Sequence, residues 1–219
     1  MVGQGLTVLT VYWEGRFRDR TYTREWVRKF QRMVRDALPQ ARFRCLTNVG
    51  IEQVETIPLK HDYPGWWSKV ELFRPDLPVG GRLVYLDLDT LIVGDLTELV
   101  AFEPTPTFMP PSYKIHSTNE FGGNDVVNIY NSSVIVWDKG QGTELYEHFD
   151  SIKMNFLRGD QDWFGYISPH YSTLPTKWFS KLRYCKEGPP SECKIVLAMP
   201  WKNETAANRF DWVNEIWNR

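Results

Sequence analysis

A chain of 219 residues fits one core, since domains commonly hold about 100 to 250 residues. Its 26 basic and 27 acidic residues leave a net charge of -1, so no global field draws it to nucleic acid or an anionic membrane, and any anion must be caught locally. No apolar run nears the ~20 residues that span a bilayer, and residues 1–10 lack the basic start and apolar core of a signal peptide; a soluble, cytoplasmic protein is expected.

Residues 7–13 form a β-branched and aromatic run that predicts a first strand. Thr23 is then a helix N-cap, and Trp26, Phe30, Met33, Val34, Ala37 and Leu38 recur with helical period until Pro39. Strands are predicted at 41–46 and 54–59. Trp66, Val70 and Phe73 repeat at helical spacing before Pro75, and the apolar run 83–86 after Gly80-Gly81 suits a central strand covered on both faces. This β, α, β, α, β order predicts an α/β sheet.

Further on, residues 107–109 and 133–137 read as strands, separated by a polar loop over 112–128. Leu145, Phe149, Ile152 and Phe156 predict one helix, 160–167 a short one, 194–199 a last strand and 205–217 a terminal helix. No repeat or linker supports a second domain. Cys45, Cys185 and Cys193 lack metal-ligand spacing and are read as reduced thiols, and the 32 aromatic residues mostly as packing. His61, His116, His148 and His170 show no pairwise metal spacing; His170 is the one to check as a substitute ligand.

The chemistry concentrates in Tyr85-Leu86-Asp87-Leu88-Asp89. Two acids follow a buried run directly, at the carboxyl end of a central strand, where open α/β sheets place ligands. Two carboxylates ~4 Å apart repel by roughly 4 kcal/mol at an effective dielectric of 20, which favours a bound cation. Oxygen ligands select manganese or magnesium, and such an ion keeps positions open for phosphate oxygens.

The flanking segments, Trp67-Ser68-Lys69-Val70-Glu71-Leu72-Phe73, Gly81-Arg82-Leu83-Val84-Tyr85-Leu86-Asp87-Leu88-Asp89-Thr90 and Val93-Gly94-Asp95-Leu96, resemble the family eight glycosyltransferases and their bacterial relatives. Tyr130-Asn131-Ser132-Ser133 is similar to that family's N-S/A-G strand, with Ser133 where glycine is usual, and Gly159-Asp160-Gln161-Asp162 to its D-Q-D segment. The resemblance implies a GT-A fold, one α/β domain with a mixed central sheet flanked by helices. Its nucleotide-binding half would cover about residues 1–100 and its acceptor half about 101–219. It further implies a manganese-dependent or magnesium-dependent hexosyltransferase that takes a UDP-hexose, with retention of configuration.

By match of motif, Asp87 and Asp89 would hold the metal, Lys69 and Asn131 would meet the donor, and Asp160 and Gln161 would lie beside the reacting sugar. Donor contacts are also expected of Thr10 and Tyr12 in the first strand and of Lys202. The family's histidine after the last strand has no counterpart among Leu197, Ala198 and Met199. The acceptor, whether a glycan, a lipid-linked sugar or a protein, is not specified. Two rivals remain open: a haloacid-dehalogenase-like phosphatase, whose D-x-D-x-T opening Asp87-Leu88-Asp89-Thr90 resembles with the threonine one place early, and a non-catalytic nucleotide-sugar binder.

Overall fold

The computed structural model describes residues 5–17, 22–103, 105–110, 130–168, 170–197 and 210–217. The expected loop over 112–128 and Lys202 lie outside them, as do Ala198 and Met199 and the start of the expected terminal helix.

Strand β1 (Thr7–Tyr12) leads to helix α1 (Arg24–Ala37), in whose first turn Trp26 N donates to the Thr23 hydroxyl as the sequence predicts. One stripe of α1, with Trp26, Val27, Phe30, Met33 and Val34, is buried, while its arginines stay on the solvent side. Strands β2 (Arg42–Thr47) and β3 (Thr56–Pro58) follow, then a 3₁₀ helix over Gly65–Phe73 and strand β4 (Arg82–Leu86). Strand β5 (Thr90–Ile92), helix α2 (Thr97–Val100), strands β6 (Thr107–Met109) and β7 (Asn131–Asp138), helices α3 (Glu144–Glu147) and α4 (Asp160–Ile167), strands β8 (Ser172–Thr173), β9 (Phe179–Lys181) and β10 (Ile195–Leu197), and helix α5 (Asp211–Trp217) complete the order.

Seven strands form a mixed sheet in the order β3-β2-β1-β4-β7-β6-β8. The first four run parallel, while β7 is antiparallel to both β4 and β6. The chain moves outward from β1 to β3 and then crosses back to lay β4 on the other side of β1. The carboxyl ends of β1 and β4 therefore flank a topological switch point, the crevice where open α/β sheets bind ligands. A second sheet has the order β5-β10-β9; β10 falls within the strand expected at 194–199, whereas β5 and β9 are too short for a periodic pattern to announce them.

Alternation along the strands divides the core in two. Val8 and Tyr12 of β1 and Val84 and Leu86 of β4 pack with α1, α5 and the small sheet; Leu9 of β1 and Leu83 and Tyr85 of β4 pack with the 3₁₀ helix and α4. The expected helix through Leu145, Phe149, Ile152 and Phe156 is instead two short pieces, because Asp150 accepts from Ile152 N and starts a 3₁₀ turn over Ser151–Asn155. Ile152 and Phe156 consequently point outward, 56% and 73% exposed. All three cysteines are free and buried. No described helix is long and apolar enough to cross a membrane.

The segment 65–73 departs from the α-helix that its spacing predicts. A three-residue period eclipses positions i and i+3, which aligns Trp66 with Lys69 on one side. The helix is anchored by Glu71, fully buried, whose carboxylate accepts the amides of Lys60 and His61 and pairs with Arg74 Nη1 at 2.7 Å. Replacing Glu71 by alanine strands the Arg74 charge and two amides in the interior, so urea denaturation of Glu71→Ala is expected to show a loss of about 3–5 kcal/mol. A loss below about 1 kcal/mol would mean that water reaches the pair.

Candidate functional site

The switch-point crevice is a cleft lined by Val11, Trp13, Gly15, Phe17, Tyr22, Gly65, Trp66, Lys69, Tyr85, Asp87 and Leu88. Its floor is polar and its walls are aromatic. Asp87 enters because it follows β4 directly, with its amide donating to the Ser133 carbonyl at 2.9 Å and its carbonyl accepting the Thr90 hydroxyl at 2.7 Å. The antiparallel pairing of β7 with β4 brings the start of β7 to the same edge, which is why Asn131, Ser132 and Ser133 meet the acid pair.

Lys69 is buried and sits among acids. Its Nζ lies 2.8 Å from Asp87 Oδ1, 3.4 Å from Asp160 Oδ2 and 3.2 Å from the Ser132 hydroxyl oxygen. Burial alone would lower its pKa, but Asp160 and Asp87 outweigh it and the pKa is raised. Burial opposes the Asp87 charge too, yet the Lys69 ammonium and hydrogen bonds from Tyr85 and Ser133 hold its carboxyl below the usual range. The Tyr85 hydroxyl donates to Asp87 Oδ1 at 2.5 Å, and burial followed by the Asp87 charge pushes the phenol well above its ordinary value.

Asp160 differs. Burial pushes its pKa up, aided by Asp87 and opposed by Lys69 and a hydrogen bond from Ser132. It opens α4, where the amino end of the helix favours negative charge, yet its buried Oδ2 receives no hydrogen bond. Asp162, the second acid of the D-Q-D segment, is turned away from the cleft functionally: both its oxygens are taken by the Arg158 guanidinium at 3.0 and 3.1 Å. Gln161, between them, is half-buried.

Asp89 is buried and its Oδ2 accepts the Tyr22 hydroxyl at 3.0 Å. Tyr22 packs edge-on against Trp26, whose indole donates to the Leu88 carbonyl at 2.7 Å, so one aromatic pair braces both Leu88 and Asp89. Neither aromatic was singled out for the site by the sequence; Trp26 belongs to the helical stripe, and only the fold shows that its polar edge reaches the acid motif.

Thr10 and Tyr12, expected to meet the donor, lie on the opposite face of β1. The Thr10 hydroxyl is fully buried and donates to the Leu86 carbonyl at 2.9 Å, and the Tyr12 hydroxyl donates to Glu14 at 3.0 Å. Strand alternation presents Val11 and Trp13 to the cleft instead, with the Trp13 indole held by Asp62 at 2.8 Å. Asn131 is buried beside the site, and its Oδ1 accepts the Ser133 amide at 2.8 Å. His170 is exposed against the Tyr171 ring, and the described residues hold no group of three His, Cys, Asp or Glu side chains placed to bind a metal.

No protein-family model matches the chain, and no curated protein sequence matches it. Solved structures do. The galactosyltransferase LgtC, in complex with donor and acceptor sugar analogues, superposes with a TM-score of 0.64 at 12% identity, over 97% of this chain and 95% of its own. The glycosyltransferase GlyE of Streptococcus pneumoniae TIGR4 gives 0.60 at 14% identity, over 99% of this chain and 63% of that protein. At such identities the likeness is one of fold, and the fold is the GT-A type: a mixed central sheet flanked by helices, as the sequence predicts.

The aromatic wall depends on Gly65. Its φ of 57° is left-handed, and a Cβ there would come 2.1 Å from Phe17 Cδ1, a ring set edge-on against Trp66 at 4.7 Å. Gly65→Ala is therefore expected to lose about 1–2 kcal/mol of stability, measured by urea unfolding, from backbone strain alone. An unchanged midpoint would contradict the left-handed backbone.

Proposed function

We propose that this chain is a metal-dependent glycosyltransferase that takes a hexose from a UDP-sugar, with retention of configuration. The observation that carries the reading is convergence: Lys69 and Asp87 line the switch-point cleft of a GT-A fold, Asp160 pairs with that Lys69, and Asp89 accepts from Tyr22 of the same lining. LgtC, similar in fold, holds donor and acceptor sugar analogues. Residues 1–100 would form the nucleotide half and 101–219 the acceptor half. The phosphatase reading is not favoured, because the acid pair follows β4 of a GT-A sheet. A binder without activity is suggested by the missing histidine after the last strand, and the likeness of fold to glycosyltransferases does not favour it.

Asp87 and Asp89 offer hard oxygens that suit manganese or magnesium, and with two protein ligands the ion would complete its shell from diphosphate and water. When bound, the ion supplies charge stabilisation to the departing diphosphate. Tyr22 and Tyr85 fix the two carboxylates in orientation. The aromatic walls, with Trp13 and Trp66, exclude water and offer faces to a base or sugar. Asp160 and Gln161 would face the positive charge that develops on the transferred sugar, with the Lys69 ammonium opposing the burial that disfavours the Asp160 charge.

UDP binding should then require a divalent ion and vanish in Asp89→Asn. Calorimetry with manganese or with chelator measures this, and equal affinity in both would refute metal dependence. Gln161→Ala should lower turnover about tenfold or more while donor affinity stays within a few-fold, since a group acting on the transition state leaves ground-state binding intact. Parallel losses in binding and turnover would place Gln161 in donor recognition instead.

A further inference from the structure

Lys69 and Asp87 line the cleft, and Asp160 and Asp89 stand close enough behind them to act on the same ammonium; the three carboxylates and one ammonium sum formally to -2, the complement of one divalent cation. The ammonium is unevenly shared. It sits on Asp87 at 2.8 Å and stands off Asp160 at 3.4 Å, while Asp160 Oδ2, buried and 3% exposed as a residue, has no hydrogen-bond donor. A buried carboxylate oxygen without a donor is a standing penalty that a small movement of the ammonium would remove. The lysine stem is flexible and carries three rotatable donors, so it can change partner without moving the backbone. Ser132 supplies the pivot, since its hydroxyl contacts Lys69 Nζ at 3.2 Å and also hydrogen-bonds Asp160.

We propose that Lys69 is a resident counter-ion that occupies Asp87 in the free protein and yields it to the incoming divalent ion by shifting its ammonium onto Asp160 Oδ2. The inference rests on the metal-dependent reading above. Lys69 and the metal compete for one carboxylate, so the ion is held loosely until the diphosphate adds its own ligands. Asp160 gains its missing donor only in the loaded site. Metal entry and the setting of Asp160 thereby become one linked event, with Lys69 as the positioning residue.

Manganese titration of nucleotide-free protein by electron paramagnetic resonance tests this. Removing the competing charge in Lys69→Met should tighten manganese binding by about tenfold or more, whereas Lys69→Arg, which keeps the charge, should stay within about threefold of the parent. Equal or weaker binding in Lys69→Met overturns the exchange. The parent protein with UDP separates the two ideas: manganese bound there without any gain in Lys69→Met defeats the exchange alone, and no manganese binding in any sample defeats the metal-dependent reading with it. Should Lys69→Met not fold, a crystal structure of the parent with manganese and UDP decides. Lys69 Nζ is expected within hydrogen-bond distance of Asp160 and beyond it from Asp87; an ammonium still seated on Asp87 overturns the proposal.

Discussion

A buried ammonium among three carboxylates sets the terms for the rest of this molecule. Taking Lys69 out of water is costly unless anions meet it, and Asp87 at 2.8 Å with Asp160 at 3.4 Å meet that need from two different elements. Those elements must therefore stay in register to within a fraction of an ångström. The sheet order does this for Asp87 by placing β4 between β1 and β7, and the 3₁₀ helix does it for Lys69 by fixing its own position through Glu71 and Arg74. The aromatic walls follow from the same arrangement, because the three-residue period that aims Lys69 at the cleft aims Trp66 with it.

The cluster also divides labour between similar groups. Asp87 is held anionic by close donors, whereas Asp160, with an oxygen left without a donor, is pushed toward its neutral form by burial. Asp162 sits two residues on and is wholly engaged by Arg158. Three aspartates of the same intrinsic chemistry thus take separate roles through their surroundings alone. The braces on Asp89, Tyr22 and Trp26, come from the first βα unit, so the nucleotide side of the sheet and the acid motif are mechanically one piece.

Much of this was legible in the sequence where a periodic or stepwise pattern exists. The Thr23 cap, the α1 stripe, the buried run of β4 and the acids after it all follow from local rules, and each is found within a residue or two of its expected place. The failures have physical causes. Alternation says that neighbours in β1 face opposite ways but not which parity faces the cleft, so Thr10 and Tyr12 were expected where Val11 and Trp13 stand. Hydrophobic spacing cannot see that Asp150 will start a new turn, so one long helix became two short pieces. Tyr22 carries no motif of its own and reaches the site only through tertiary packing.

The central claim is that this cleft takes a nucleotide sugar through a metal bridge on Asp87 and Asp89. A thermal-shift screen of nucleotide sugars with and without manganese tests it most directly, because a ligand that binds the native state raises the melting temperature in proportion to its affinity. The account predicts a rise with at least one UDP-hexose that requires manganese and disappears in Asp87→Asn. An identical melting temperature with every nucleotide sugar, or a rise that survives chelation and the Asp87→Asn substitution, would contradict it.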